Sequence, residues 1–187
     1  MPGTDLASRS LSQLVIIDVQ EKLAAAMEPA LMAMLMRNCS TLLQAANLLE
    51  VPIIYTEQYP KGLGNTLPNL TANLGKAARV EKTAFSCYAV PAFREQLHVH
   101  ASRPHIVLAG MEAHICVLQT AMQLQQQGYQ VMVVEDAVLS RNPANKENAL
   151  HRLRQAGVIV SNTESIAFEW LEKAEGDAFK TISRLVR

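Results

Sequence analysis

The chain has 187 residues, a length that favours one domain with a sizeable core over two small ones. Hydrophobic residues make up 49% and charged residues 18%, a composition that excludes an intrinsically disordered chain. Lysine plus arginine and aspartate plus glutamate each total 17, so the zero net charge supplies no broad attraction to nucleic acid or to an anionic membrane. We expect neither as a partner.

The amino-terminal segment and the cysteines indicate the cellular setting. The segment MPGTDLASRS is polar and lacks the apolar core of a secretory signal, and no apolar run approaches the roughly 20 residues that span a bilayer. The three cysteines are widely spaced without a Cys-x-x-Cys pair, so neither a disulfide framework nor a structural zinc site is expected. These features favour a reducing, cytoplasmic setting, in which a free thiol can serve chemistry.

The first half of the chain alternates apolar runs with a helical pattern. The run LSQLVIIDVQ at 11–20 does not alternate, which is typical of a first strand covered on both faces, and this strand is predicted to end at Asp18. Leucines at helical intervals predict a long helix over 29–50, and VPIIYT predicts a second strand over 51–56. Residues 57–78 are rich in Gly, Pro and Asn and predict a loop with at most a short helix.

The second half continues the alternation. A short third strand is expected to end near Lys82, Pro91 opens a helix, and the tail from Gly176 is expected to continue as helix or to pack against a partner. The remaining predictions are a fourth strand at 105–110, a helix at 113–128, a fifth strand at 129–136, a helix at 142–157, a sixth strand at 158–162 and a helix at 163–174. This order predicts one α/β domain over residues 1–187, with three α/β/α layers and a central six-stranded, mainly parallel sheet.

Three chemically active side chains stand at the carboxyl ends of predicted strands, where α/β proteins bind their ligands. Asp18 ends the first strand, Lys82 ends the third, and Cys116 follows the fourth. The carboxylate can accept a thiol proton, the ammonium can stabilise a thiolate, and the N–H groups of the next helix can hold an oxyanion. Each residue alone has an ordinary explanation as a turn residue, a surface charge or a buried sulfur. Their joint placement favours one site.

The segments LVIIDVQ, EKTAFSCY and LAGMEAHICVLQTA, in this order over nearly the whole chain, resemble the isochorismatase-like cysteine hydrolase family. The resemblance implies a three-layer, Rossmann-type α/β fold, self-association, and a catalytic triad of Asp18, Lys82 and Cys116. It also implies a cis peptide bond between Met111 and Glu112. The N–H groups of Glu112 and Cys116 would then form the oxyanion hole.

The loop after the second strand distinguishes this chain from the nicotinamidases of that family, which carry a histidine-containing metal site there. The segment YTEQYPKGLGNTLPN contains no histidine, and the histidines elsewhere show no ligand spacing. We therefore expect no metal and no cofactor. TEQYPKGLG together with GMEAHICVLQT more closely resembles the isochorismatase domain-containing subgroup, whose substrates are poorly defined.

Further side chains near the predicted strand ends are candidates for the substrate pocket: Gln20, Tyr55, Glu57, Phe85 and His114. They include an amide, an imidazole that titrates near neutral pH, and two aromatic rings that can form walls. The alternatives are turns, helix caps, core packing or contacts with a second subunit. Cys87 is expected to be a small buried hydrophobe, and Cys39, within the long first helix, is expected to be structural.

We expect a hydrolase that cleaves a small amide-like or related carbonyl compound through a thioester-type intermediate on Cys116. We also expect the protein to form a homo-oligomer, a dimer or higher. The alternative is a catalytically silent binding or scaffold module that has kept the fold. A nucleotide-binding domain ranks last, because IDVQEKLA after the first strand contains no glycine-rich phosphate loop.

Overall fold

A sheet of six parallel strands forms the centre of the protein in the computed structural model, which describes residues 5–187. The strands lie in the order β3-β2-β1-β4-β5-β6. This order changes direction between β1 and β4, where open α/β sheets place their ligand crevice. The bounds are Ser12–Ile17 for β1, Ile53–Gln58 for β2, Ala78–Lys82 for β3, His105–Met111 for β4, Gln130–Leu139 for β5 and Ile159–Ser161 for β6.

Helices connect the strands and cover both faces of the sheet. The α-helices are α1 Glu21–Ala25, α2 Pro29–Leu48, α3 Pro60–Leu63, α4 Pro68–Leu74, α5 Pro91–Val99, α6 Leu118–Gln126, α7 Pro143–Gln155, α8 Thr163–Leu171 and α9 Gly176–Leu185. A 3₁₀ turn at Cys87–Ala89 and a π-helical turn at Ala113–Val117 interrupt the connections. Over residues 5–187, no helix is both long enough and apolar enough to cross a bilayer.

The alternation of side chains along β1 supplies two separate cores. Leu14 and Ile16 pack on one face of the sheet, with Trp170 of α8, and we call this the α2 face. Val15 and Ile17 pack on the opposite face, with the apolar side of α6, and we call this the α6 face. Because both faces of β1 are buried, its sequence shows no polar alternation.

The three-layer fold and the six-stranded sheet confirm the prediction, but several boundaries differ. β2 continues to Gln58 and pairs there with Lys82 of β3, and β5 continues to Leu139. The prediction of one short helix at most within 57–78 is wrong, because prolines begin both α3 and α4 there. Residues 1–4, part of the segment considered for a secretory signal, lie outside the described residues.

The carboxyl-terminal tail forms α9, as one of its two predicted alternatives. Ile182 is buried in the core of the α2 face, and Phe179 meets Phe168 of α8 edge to face at 6.3 Å between ring centroids. The helix therefore docks on this chain's own surface through an apolar stripe.

Candidate active site

The carboxyl ends of β1, β3 and β4 bring Asp18, Lys82 and Cys116 into one cluster at the α6 face. Asp18 follows β1 directly, Lys82 is the last residue of β3, and Cys116 lies in the π-helical turn after β4. The side chains of Asp18 and Lys82 are fully buried, and Cys116 is 7% exposed. Each strand end therefore delivers one reactive group to the same nearly dry region.

An ion pair forms the centre of this cluster. The ammonium of Lys82 donates to Oδ2 of Asp18 at 2.6 Å, and the hydroxyl of Thr56 donates to Oδ1 at 2.7 Å. Burial by itself would lower the pKa of Lys82, but the adjacent Asp18 carboxylate reverses this and holds that pKa above its usual value. Lys82 is therefore a fixed positive charge at neutral pH.

The thiol of Cys116 is the third member of the cluster and interacts with the Asp18 side chain. Burial, followed by the negative charge of Asp18, raises the pKa of Cys116 to about 12, although Lys82 acts in the opposite direction. Lys82 favours the thiolate, but burial and Asp18 outweigh its effect on this pKa. Cys116 therefore rests as a neutral thiol beside a carboxylate, so ionisation has to accompany attack.

Glu112 immediately precedes the turn that carries Cys116, and the peptide bond between Met111 and Glu112 is cis. The carbonyl oxygen of Glu112 accepts hydrogen bonds from the N–H groups of Ile115 and Val117, at 3.1 and 3.3 Å. These bonds fix the turn around Cys116. The oxyanion role of the Glu112 and Cys116 N–H groups stays a prediction.

Gly110 allows β4 to approach the end of β1 closely. Its φ of +119° is rarely adopted by residues with a side chain, and a Cβ there would overlap the carbonyl oxygen of Ile17. Ile17 immediately precedes Asp18, which itself has a left-handed φ of 51°. Gly110 therefore helps to set the position of the strand end that carries the carboxylate.

Comparison with known proteins identifies the family. A model of the isochorismatase domain matches residues 12–165. This chain belongs to the isochorismatase family. Isochorismatase domain-containing protein 2 of Bos taurus is 38% identical to this isochorismatase domain, over 94% of this chain and 83% of its own length.

Two solved structures resemble this isochorismatase domain over nearly its full length. The MAR1 ribonuclease of Caenorhabditis elegans is 34% identical, with a TM-score of 0.88, covering 96% of this chain and 91% of its own. The YcaC gene product of Escherichia coli, an octameric hydrolase of unknown specificity, is 20% identical with a TM-score of 0.90, covering 99% and 92%. The second similarity shows the shared fold.

In this isochorismatase domain, alternation along β2 decides which side chains reach the cluster. Thr56 and Gln58 point to the α6 face, where they contact Asp18 and Lys82. Tyr55 packs against the core of the α2 face, and Glu57 forms an ion pair of 2.6 Å with Arg79. A period of two therefore places Tyr55 and Glu57 on the face of the sheet opposite the cluster. Their role as pocket residues stays a prediction.

The side chain of Gln20 binds main-chain atoms at the end of β2. Its amide oxygen accepts from the N–H of Gln58 at 2.7 Å, and its amide nitrogen donates to the carbonyl oxygens of Gln58 and Gly64 at 3.0 and 2.7 Å. The side chain is fully buried. Because the protein backbone occupies both ends of this amide, Gln20 holds the β2 end and does not present its amide to a substrate.

Phe85 and His114 lie nearer the edge of the cluster. Phe85 is 55% exposed, and its carbonyl oxygen accepts from the Lys82 ammonium at 3.1 Å. His114 is partly exposed, and its Nδ1 lies 2.9 Å from the hydroxyl of Ser140. Their roles as pocket residues stay predictions.

The functional candidate that sequence reasoning missed is Thr56. The second strand was predicted to end at Thr56, which left Gln58 in a loop and hid the alternation that points both side chains to the α6 face. The burial of Cys87 and Cys39 confirms the prediction for those two thiols, and burial raises their pKa values to about 11 and about 12.

Open space beside the cluster adjoins the end of β3. A cavity of about 550 Å³ is lined in part by Tyr59, Lys82, Thr83 and Pro91. Within residues 5–187, no three His, Cys, Asp or Glu side chains form a group that could hold a metal ion. The cluster itself offers a thiol, a carboxylate and an ammonium.

Proposed function

We propose that the protein is a cysteine hydrolase that cleaves a small amide-like or related carbonyl compound. Cys116 is the nucleophile, Asp18 is the general base, and Lys82 is a fixed positive charge. The observation that supports this assignment is that the buried carboxylate of Asp18 binds the Lys82 ammonium at 2.6 Å and also interacts with the Cys116 thiol. A nucleophile hydrogen-bonded to a base that is itself oriented by a third group is the general arrangement for covalent catalysis.

The first half-reaction forms a thioester. The sulfur of Cys116 attacks the carbonyl carbon while its proton moves to Asp18, and the carbonyl electron pair moves to oxygen. The N–H groups of Glu112 and Cys116 hold this oxyanion. Its collapse breaks the bond to the leaving group, which takes the proton from Asp18 and departs as an amine, and the acyl group stays on the sulfur.

The second half-reaction releases the acid. Asp18 takes a proton from a water molecule as the water oxygen attacks the thioester carbonyl. Collapse of the second tetrahedral intermediate breaks the carbon–sulfur bond, and the sulfur regains the proton from Asp18. The enzyme thus returns to its neutral thiol and its ion pair.

Burial of the cluster suits this sequence of proton transfers. A neutral thiol is far cheaper to bury than a thiolate, so the resting state avoids an extra desolvated charge. When the proton moves to Asp18, the negative charge moves from the carboxylate to the sulfur and then to the substrate oxygen. Lys82 compensates that charge throughout, because a buried ammonium is little screened by solvent.

We also propose a cytoplasmic location, a homo-oligomeric assembly and a small-molecule substrate. Free thiols at Cys39, Cys87 and Cys116 support a reducing, cytoplasmic location, and the octameric state of the Escherichia coli protein supports a homo-oligomer. Equal numbers of acidic and basic residues, with a nearly buried nucleophile, favour a compact metabolite over nucleic acid as the substrate. We place the activity in one domain over the whole chain.

A metabolite-depletion screen tests this function. Wild type and Cys116→Ala are incubated with a library of small amides and a metabolite extract, and with RNA in a separate arm. The control is Cys39→Ala, which removes a buried thiol from the core of the α2 face. We expect wild type and the control to deplete a small carbonyl compound. The rate of depletion is expected to fall at least about 100-fold in Cys116→Ala. Equal depletion by Cys116→Ala contradicts the proposal, and RNA cleavage without metabolite depletion replaces it. No turnover by wild type favours the binding module.

A further inference from the structure

We propose that Gln58 is a positioning residue that holds the ammonium of Lys82 against Asp18, and that Gln20 in turn holds Gln58. The role of Gln58 in turnover rests on the proposed function, but the experiment that tests its position does not need a substrate. The side-chain oxygen Oε1 of Gln58 lies 2.7 Å from Nζ of Lys82, almost as close as the Asp18 carboxylate at 2.6 Å. The amide is therefore a direct neighbour of the triad's positive charge.

Hydrogen bonds fix both the orientation and the location of the Gln58 amide. Its nitrogen donates to the carbonyl oxygen of Thr83 at 2.7 Å, which aims the oxygen at the ammonium. Its main-chain N–H and carbonyl are both bound by the buried amide of Gln20, at 2.7 and 3.0 Å. Gln20 lies two residues after Asp18, so the segment that carries the carboxylate also fixes the residue that faces the ammonium.

The hydrogen-bond acceptors around Lys82 determine whether its ammonium has a hydrogen left to donate to a substrate. Nζ has Asp18 and Gln58 as close acceptors, and the carbonyl oxygens of Ala84 and Phe85 lie at 3.3 and 3.1 Å. An ammonium has three hydrogens, so the protein can satisfy all of them. Lys82 therefore serves as a fixed charge and not as a proton donor to the substrate. Gln58 supplies an acceptor without adding a second negative charge.

Because Gln58 is neutral, replacing it with a charged residue is expected to change the pKa of Cys116 in a known direction. The charged groups that face Cys116 are Asp18 and Lys82, with the thiol of Cys87 as a further titratable neighbour. A glutamate at position 58 would keep the length and the acceptor but would add a negative charge beside the ammonium. That charge opposes removal of the Cys116 proton, whereas the same charge placed far from the cluster has no such effect.

Alkylation of Cys116 by iodoacetamide at pH 9, located by peptide mass spectrometry, measures this effect. Gln58→Glu is expected to react about tenfold more slowly than wild type, as for one added charge a few ångströms away. The control Gln126→Glu makes the same chemical change on an exposed residue of α6 and is expected to react like wild type. Equal rates in Gln58→Glu and Gln126→Glu overturn the proposal for Gln58, even if Cys116-dependent hydrolysis is found. A slower rate supports it even if no hydrolysis is found.

A second variant decides the question if Gln58→Glu does not fold. Gln58→Met keeps the length but removes the acceptor. In ¹⁵N-labelled protein, the ammonium resonance of Lys82 is assigned by its loss in Lys82→Met. We expect it to be visible in wild type, because the group is buried and bonded, and to be lost through faster exchange in Gln58→Met. An unchanged ammonium resonance in Gln58→Met overturns the proposal.

Discussion

Lys82 and Asp18 form an ion pair of 2.6 Å in which both side chains are fully inaccessible to solvent. Such a pair gains little net stability over an apolar pair, but loss of one partner leaves a buried charge without compensation. Lys82→Met is therefore expected to lower the free energy of unfolding by about 3–5 kcal/mol. The double variant Lys82→Met/Asp18→Asn removes both charges and is expected to recover part of that loss. Urea unfolding of the two variants measures the difference, and a double variant that is less stable than Lys82→Met contradicts the expectation.

Thr56 holds the second oxygen of the Asp18 carboxylate through a hydrogen bond of 2.7 Å. Thr56→Val keeps the shape and removes the donor, so the carboxylate is free to rotate away from the thiol. We expect kcat to fall about tenfold, with KM nearly unchanged, because a positioned base contributes mainly in the transition state. Thr71→Val in the exposed part of α4 is the matched control. A similar kcat in Thr56→Val and Thr71→Val would contradict a positioning role for Thr56.

Alanine substitutions at Gly110 and Gly128 distinguish the destabilisation caused by a steric clash from that caused by a positive φ alone. Both have positive φ values, but a Cβ at Gly110 meets the backbone of Ile17, whereas a Cβ at Gly128 meets no heavy atom within 4 Å. Gly128→Ala is expected to destabilise the protein by about 1 kcal/mol, and Gly110→Ala by more than about 3 kcal/mol. Thermal unfolding with soluble yield checks the ranking. Equal losses of stability indicate that the approach of β4 to Ile17 does not constrain the fold.

Glu57 gives the fold a pH dependence away from the site. Burial alone would raise the pKa of Glu57, but hydrogen bonds from Thr66 and Arg79 hold it below its usual value. Its stabilisation is therefore complete above the unfolded-state pKa and is lost as the pH falls through the folded-state pKa. Glu57→Gln is expected to lower the free energy of unfolding by about 1–3 kcal/mol at pH 7, and by less below pH 4.

The control for Glu57 is Glu81→Gln, because the Glu81 side chain is 58% exposed where it meets Arg79. Exposed ion pairs contribute little, so Glu81→Gln is expected to change stability by less than about 0.5 kcal/mol. Chemical unfolding from pH 3 to pH 7 compares the two variants. If the difference in free energy of unfolding between wild type and Glu57→Gln grows as the pH falls, the prediction is wrong.

The sequence predicts the convergence of the cluster because parallel strands place their carboxyl ends at one edge of the sheet. Asp18, Lys82 and Cys116 could be brought together on that rule alone. The face on which a side chain lies depends on where its strand ends, and the alternation that separates Tyr55 from Gln58 became clear only with β2 extended by two residues.

The electrostatic state of Cys116 could not be predicted from residue types. The sequence shows an acid and a base near a thiol, which together leave the sign of the pKa shift open. The sign depends on depth of burial and on the contact between Asp18 and the thiol, and both are products of packing. The same holds for Gln20, whose amide binds main-chain atoms of residues 58 and 64 that the sequence does not place beside it.

The role of Asp18 as acceptor of the thiol proton is tested most directly by the pH dependence of Cys116 alkylation in wild type and in Asp18→Asn. Asparagine keeps the shape and tolerates the left-handed φ of 51°, but removes the negative charge. Wild type is expected to react slowly at pH 8, with a rate that rises about tenfold per pH unit toward a pKa of about 12. In Asp18→Asn the thiol pKa is expected to fall, so that alkylation at pH 8 is at least about tenfold faster while hydrolysis is lost. Alkylation that is unchanged or slower in folded Asp18→Asn, or hydrolysis that persists in it, would contradict the assigned role.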